Sequence, residues 1–105
     1  MDRLALLRQF VARSPGDPFA RYGLAMELAK RGELGEACQV FQALVDEQPD
    51  YLATYLMYGN ALAQAGDAKR AAEVFRQGAE VSGSRGDGHT RSENLAALAA
   101  LEGSD

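Results

Sequence analysis

The sequence has little of what chemistry or cross-linking requires. Its single cysteine, Cys38, has no partner for an internal disulfide. One histidine, His89, and that one thiol cannot make a metal-ligand cluster, so no metal and no cofactor are expected. The stretch GSRGDG (83–88) lacks the spacing and the Lys-Ser/Thr end of a phosphate-binding loop. No nucleophile–base pair suggests itself, and the chain is not expected to be an enzyme. Basic residues are scattered, with no run longer than two, and the formal net charge is −4. Nucleic acid and anionic membrane surfaces are therefore not the expected partners. No apolar run approaches the roughly 18 residues of a membrane span. The opening MDRLALLRQFVARSPGD is broken by arginines at helical spacing and has no small-residue cleavage site. These absences together lead to the expectation of a cytoplasmic protein.

What is present is a repeat. The chain has 105 residues, 47% hydrophobic and 25% charged, enough for one domain with a modest core. Sliding it by 34 residues lays LAMELAKRGELGEACQVF (24–41) on YGNALAQAGDAKRAAEVF (58–75). Ala25 then meets Gly59, Leu28 meets Leu62, Ala29 meets Ala63, Gly32 meets Gly66, Ala37 meets Ala71, Val40 meets Val74 and Phe41 meets Phe75. Small, apolar and turn residues recur in phase.

Each unit reads as two helices around a tight turn. Asp17 suits an N-cap and Pro18 the first helical position, where its missing N–H costs nothing. Gly32 can adopt the left-handed conformation that ends a helix. A second helix runs from about Leu34 to Glu47, before Pro49. In the next unit Gly66 ends one helix and Asp67 caps the following one. The small pairs Ala25/Gly59 and Ala37/Ala71 fall where the helices of a pair cross, and a small side chain there lets the axes approach closely. Phe41 and Phe75 fill the space beyond.

This pattern resembles the tetratricopeptide repeat: period 34, two helices per unit, and Leu24-Ala25, Leu28, Gly32, Ala37, Phe41, Pro49 in order, recurring as Tyr58-Gly59, Leu62, Gly66, Ala71, Phe75. Tyr55 supplies an early aromatic that Arg21 does not, and Gly83 stands where Pro49 stood. The resemblance implies an all-α fold, a short right-handed stack of antiparallel helix pairs with about six helices. The expected divisions are an N-terminal half-repeat helix at 2–13, repeats at 17–49 and 51–83, a flexible Gly/Ser-rich loop at 82–89, and a capping or half-repeat helix at 90–102. The first rests on Pro15, Leu7, Leu6 and Val11 falling on Pro49, Phe41, Val40 and Val45. The last rests on a capping box at Thr90 and Glu93. With three extra loop residues, Leu95, Ala96 and Gly103 then fall on Leu24, Ala25 and Gly32.

The resemblance also implies where a ligand sits. First helices of the family line an inner groove, which would present Phe19, Tyr22, Met26 and Lys30 from one unit and Ala53, Leu56, Asn60 and Gln64 from the next. Helical spacing puts each set on one face. The implied function is a protein-interaction module that holds a short, partly apolar peptide or helix of another protein. The basic clamp by which some members hold a terminal carboxylate is not matched, because Tyr22, Met26, Met57, Thr90 and Asn94 occupy its positions. Charging Tyr22 and Leu56 is expected to abolish capture without unfolding. An alternative is a self-associating structural module, a homodimer through the terminal half-repeat helices, since the last helix has little polarity to sheathe the end of a stack. Cys38 reads as a small core residue, His89 as an exposed loop residue, and Glu27, Glu33, Glu36, Glu73 and Glu80 as solvated faces.

Overall fold

Six helices follow one another in a computed structural model that describes residues 2–103. They are α1 (Arg3–Arg13), α2 (Pro18–Lys30), α3 (Leu34–Glu47), α4 (Ala53–Gln64), α5 (Ala68–Ser84) and α6 (Gly88–Glu102), with no strand among the described residues. Each helix packs on its chain neighbours, and α2 also touches α4, as α4 touches α6. The first-type helices thus form one layer, and α1, α3 and α5 lie against them in a slab of 41 × 31 × 19 Å.

The helix boundaries follow from local chemistry. The Asp17 carboxylate accepts the Phe19 N–H, with Pro18 at the start of α2. Asp67 accepts the Arg70 N–H at the start of α5. Three helix ends share one geometry. Gly32, Gly66 and Gly86 have φ of 81°, 89° and 78°, a region only glycine enters without strain. In each, the next residue's N–H reaches back to a carbonyl five residues earlier: Glu33 to Leu28, Asp67 to Leu62 and Asp87 to Ser82, all at 2.9 Å.

The third of these turns changes the expectation for 82–89. Residues 82–84 complete α5, residues 88 and 89 begin α6, and only 85–87 lie between them. Ser82 is fully buried and Gly86 closes the same Schellman-type turn as Gly32, so the segment is a tight connection rather than a loose loop. The cap also moves. Asp87, not Thr90, is the N-cap, accepting the Thr90 N–H on one carboxylate oxygen and the Thr90 hydroxyl on the other. His89 stands in the first turn of α6, exposed, 3.7 Å from Glu93.

The core lies where small residues admit a close crossing. Ala25, Ala37 and Ala71 are fully buried, and a Cβ on Gly59 would stand 2.2 Å from the Phe75 ring. Phe41 stacks on Tyr58 with ring centroids 5.7 Å apart, and Gln42 accepts hydrogen bonds from the Tyr58 hydroxyl and Arg70, linking α3, α4 and α5. Gly78 makes a second close approach that periodicity does not reveal: a Cβ there would meet the Tyr55 Cβ at 2.5 Å and Asn94 Oδ1 at 2.6 Å. It makes room for the buried Asn94, through which α6 seats on α4 and α5.

Candidate functional site

The inner face is built by α2 and α4. Met26, Ala29 and Lys30 from α2, with Met57, Asn60, Ala61 and Gln64 from α4, line a cleft of about 210 Å³. Along α2 a wider depression of about 740 Å³ is bordered by Phe19, Tyr22, Gly23, Met26, Glu27 and Lys30, with Arg3 reaching over from α1. The fold therefore brings Met26, Lys30, Asn60 and Gln64 together in the cleft, and Phe19, Tyr22, Met26 and Lys30 along α2. Ala53 and Leu56 line neither; Ala53 is exposed and Leu56 packs against the core.

The side chains differ in how free they are. Phe19 is 71% exposed, while Asn60 and Gln64 are open to solvent. Tyr22 is half-buried, its ring 6.4 Å from Phe41 and 5.7 Å from Tyr51. Burial, with a smaller effect of Tyr51, pushes its hydroxyl pKa up. A charge at Tyr22 or Leu56 would thus damage packing as well as any contact, so these are poor probes of the surface. Met57 belongs to the cleft and was expected only as a failed clamp position. It stands 34 residues after Gly23, whose lack of a side chain hid the position's direction.

The floor of the wider depression carries a charge network. Glu27, expected on a solvated face, is buried. It accepts from Arg31 at 2.9 Å and from Arg3 at 3.0 Å, while Arg31 also binds both oxygens of Asp2. Arg31, with smaller contributions from Lys30 and then Arg3, holds the Glu27 carboxyl below the ordinary carboxylate range. Arg31 likewise lowers Asp2. Arg8 pairs with Glu36 through two hydrogen bonds, which lowers Glu36. These pairs tie α1 down beside the groove.

No group of three or more His, Cys, Asp or Glu side chains suited to a metal ion occurs among the described residues. Cys38 is half-buried beside the core, and burial pushes its thiol pKa up, which suppresses the reactive thiolate. No described helix is long and apolar enough to cross a membrane.

Comparison with known proteins agrees with this architecture. The family profile described as tetratricopeptide repeat matches residues 4–51 and 22–85. The chain is 26% identical to TPR repeat-containing protein PA0015 of Pseudomonas aeruginosa over 96 residues, 91% of each. It superposes on the solution structure of a tetratricopeptide repeat domain protein from Salinibacter ruber with a TM-score of 0.82 at 34% identity, covering 88% of this chain and 93% of that one. It also superposes on protein BPP2914 of Bordetella parapertussis with a TM-score of 0.83 at 22% identity, covering 97% of this chain and 89% of that one, a likeness of fold alone. Such domains generally mediate protein–protein interaction and are typically non-enzymatic. A repeat of 34 carried by six helices, three Schellman-type turns and small residues at the crossings has one family that explains it, and this chain belongs to the tetratricopeptide repeat family.

Proposed function

We propose that the inner face of α2 and α4 holds a short, partly apolar peptide or helix of another protein. The observation that carries this reading is the cleft in which Met26 and Met57 meet among Lys30, Asn60 and Gln64. Methionine is adaptable and apolar, suited to an irregular ligand side chain. Asn60 and Gln64 can pair with a ligand backbone, and Lys30 can meet an acidic group. Phe19 extends the apolar contact along α2. The reading needs no cofactor. The proposed setting is the cytoplasm, among protein partners, a reading supported by the lone thiol.

The test is affinity capture from the source cells with Met26→Glu combined with Asn60→Arg. Met26 also packs partly against the core, as Tyr22 and Leu56 do, so Asn60→Arg alone, at an exposed cleft position, is the second variant, whose helix content by circular dichroism should stay at the wild-type level. A charge buried in an apolar subsite should weaken binding of a captured partner about tenfold or more. Undiminished capture of the same proteins would show that the cleft is not the site.

A further inference from the structure

The groove between α1 and α2 has a filled counterpart elsewhere in the molecule. Arg3, Leu7, Phe10, Arg13, Asp17 and Phe19 border an open groove of about 460 Å³. Thirty-four residues later stand Ala37, Phe41, Leu44, Glu47, Tyr51 and Ala53. That second set cradles α2: the Tyr22 ring lies on Phe41 and Tyr51, and Arg21 pairs with Glu47. By register, then, the α1–α2 groove is a seat for a first-type helix. Its walls are apolar, with Phe10 49% and Phe19 71% exposed, and its two ends carry Arg3 and Arg13.

The opposite end of the molecule presents such a helix. α6 packs Leu98, Leu101 and Ala97 toward the core and leaves Leu95, Ala96 and Ala99 outward. A shift of 71 lays these three on Leu24, Ala25 and Leu28, the residues with which α2 shares a core with Ala37 and Phe41 of α3. The outward face of α6 is therefore the face that its relatives within the chain use to meet a second-type helix. Charge agrees with shape at one end. Paired helices of a unit run antiparallel, so α6 seated on α1 brings Glu93 toward the Arg13 end; at the other end Glu102 already pairs with Arg76 and Arg3 with Glu27. Within the chain the pair at the matching place is Arg21 with Glu47; between copies Arg13 stands where Glu47 does, and Ser92, next to Glu93, stands where Arg21 does. Arg91 does not oppose this contact, since its side chain lies over Gly83 of α5.

We infer that a second copy of this chain docks its α6 into the α1–α2 seat, so that copies stack head to tail and continue the repeat. The contact is heterologous: seat and helix are different surfaces, and each copy keeps one of each free. It is not the closed pair that an exchange of terminal helices would give. It uses the ends of the stack and leaves the Met26–Met57 cleft open, sharing with the proposed ligand surface only Phe19, which borders both.

The experiment is light scattering after size exclusion on the wild-type chain over a series of loading concentrations, followed by two blocked variants. One carries Phe10→Glu and Arg13→Glu in the seat, the other Ala96→Arg and Ala99→Glu on the helix; all four positions are exposed. The wild-type mass should climb with concentration past that of two chains. Each variant alone should remain a single chain, and their mixture should give a one-to-one pair that grows no further. A wild-type chain that stays single up to its solubility limit overturns the inference, whatever the variants do, and leaves the seat to a helix of a different protein. A mass that stops at two chains, or assembly that survives in either variant alone, overturns it as well. The cleft variant Asn60→Arg, at an exposed position, should assemble as the wild type does, which separates failure of this contact from failure of the binding cleft.

Discussion

Two glycines set the fit of this fold. Gly59 meets the Phe75 ring so closely that a methyl group would overlap it by more than an ångström, and Phe75 is itself buried in the core. Ala25, at the matching place in the first unit, tolerates its methyl group, so the constraint belongs to the Gly59–Phe75 pair and not to the family position. Gly59→Ala should destabilise the domain by roughly 1–3 kcal/mol, through overpacking. Shrinking the ring with Phe75→Leu costs stability alone, by opening a cavity. Combined, the two changes should cost less than their sum, because each relieves the other. Chemical denaturation of the four forms checks this; strictly additive losses would mean that the ring can turn aside. Gly78 obeys the same logic against Tyr55 and Asn94, but with less freedom, since a backbone-proximal Cβ and a buried amide stand in the way.

At the scale of elements, α1 is held differently from the others. It buries no residue fully; beside the partly buried Leu4, Leu7 and Val11 it is tied by the Asp2–Arg31–Glu27–Arg3 network and the Arg8–Glu36 pair. The carboxyls of Asp2, Glu27 and Glu36 are all lowered in the folded chain by their arginines. The unfolded or undocked form therefore binds protons more readily. The stabilisation is present above the ordinary carboxylate range and is lost as pH falls through and below it. Amide protection in α1 should drop, relative to α4, between about pH 7 and about pH 3. Arg31→Met should flatten that response, as it removes the shared partner of Asp2 and Glu27. Equal protection ratios at both pH values would show that Leu4, Leu7 and Val11 suffice to hold the helix. Only the Glu27–Arg31 pair, four residues apart, was legible from helical spacing; the rest of the network joins residues 24 to 29 apart. The two full repeats were legible, because period 34 preserves Gly32/Gly66 and Phe41/Phe75 in phase. The last connection was misjudged because its serines and glycines resemble a loop by composition. Its real signal was order: Arg85-Gly86-Asp87 repeats the Gly-acid step of Gly32-Glu33 and Gly66-Asp67. The candidate cleft was half legible on similar grounds. Spacing gives the face of α2, but nothing local to Tyr22 tells that Phe41 and Tyr51 will claim its ring.

As a whole the molecule is a row in which each helix pair leans on its neighbours, so stability should grade along the chain. The fully buried large apolar side chains, Phe41, Leu44, Tyr55, Val74 and Phe75, belong to α3, α4 and α5, and Leu28 is the contribution of α2. α6 contributes only Asn94 to the fully buried set, and α1 contributes nothing. Local opening is cheapest where few apolar contacts must break. Hydrogen exchange should therefore be slowest in α3 to α5, faster in α2 and α6, and fastest in α1. Docking of a second copy modifies the order in a specific way. Seating α6 on the α1–α2 groove, which Phe19, Ala20 and Gly23 of α2 also wall, should slow α1, α2 and α6 as concentration rises, while α4 stays unchanged. Filling the cleft with a partner peptide should instead slow α2 and α4. Exchange measured at two protein concentrations, with and without a captured partner, thus reads both surfaces in one experiment. Uniform protection from α1 to α6 at low concentration would contradict the graded row and show one cooperative unit.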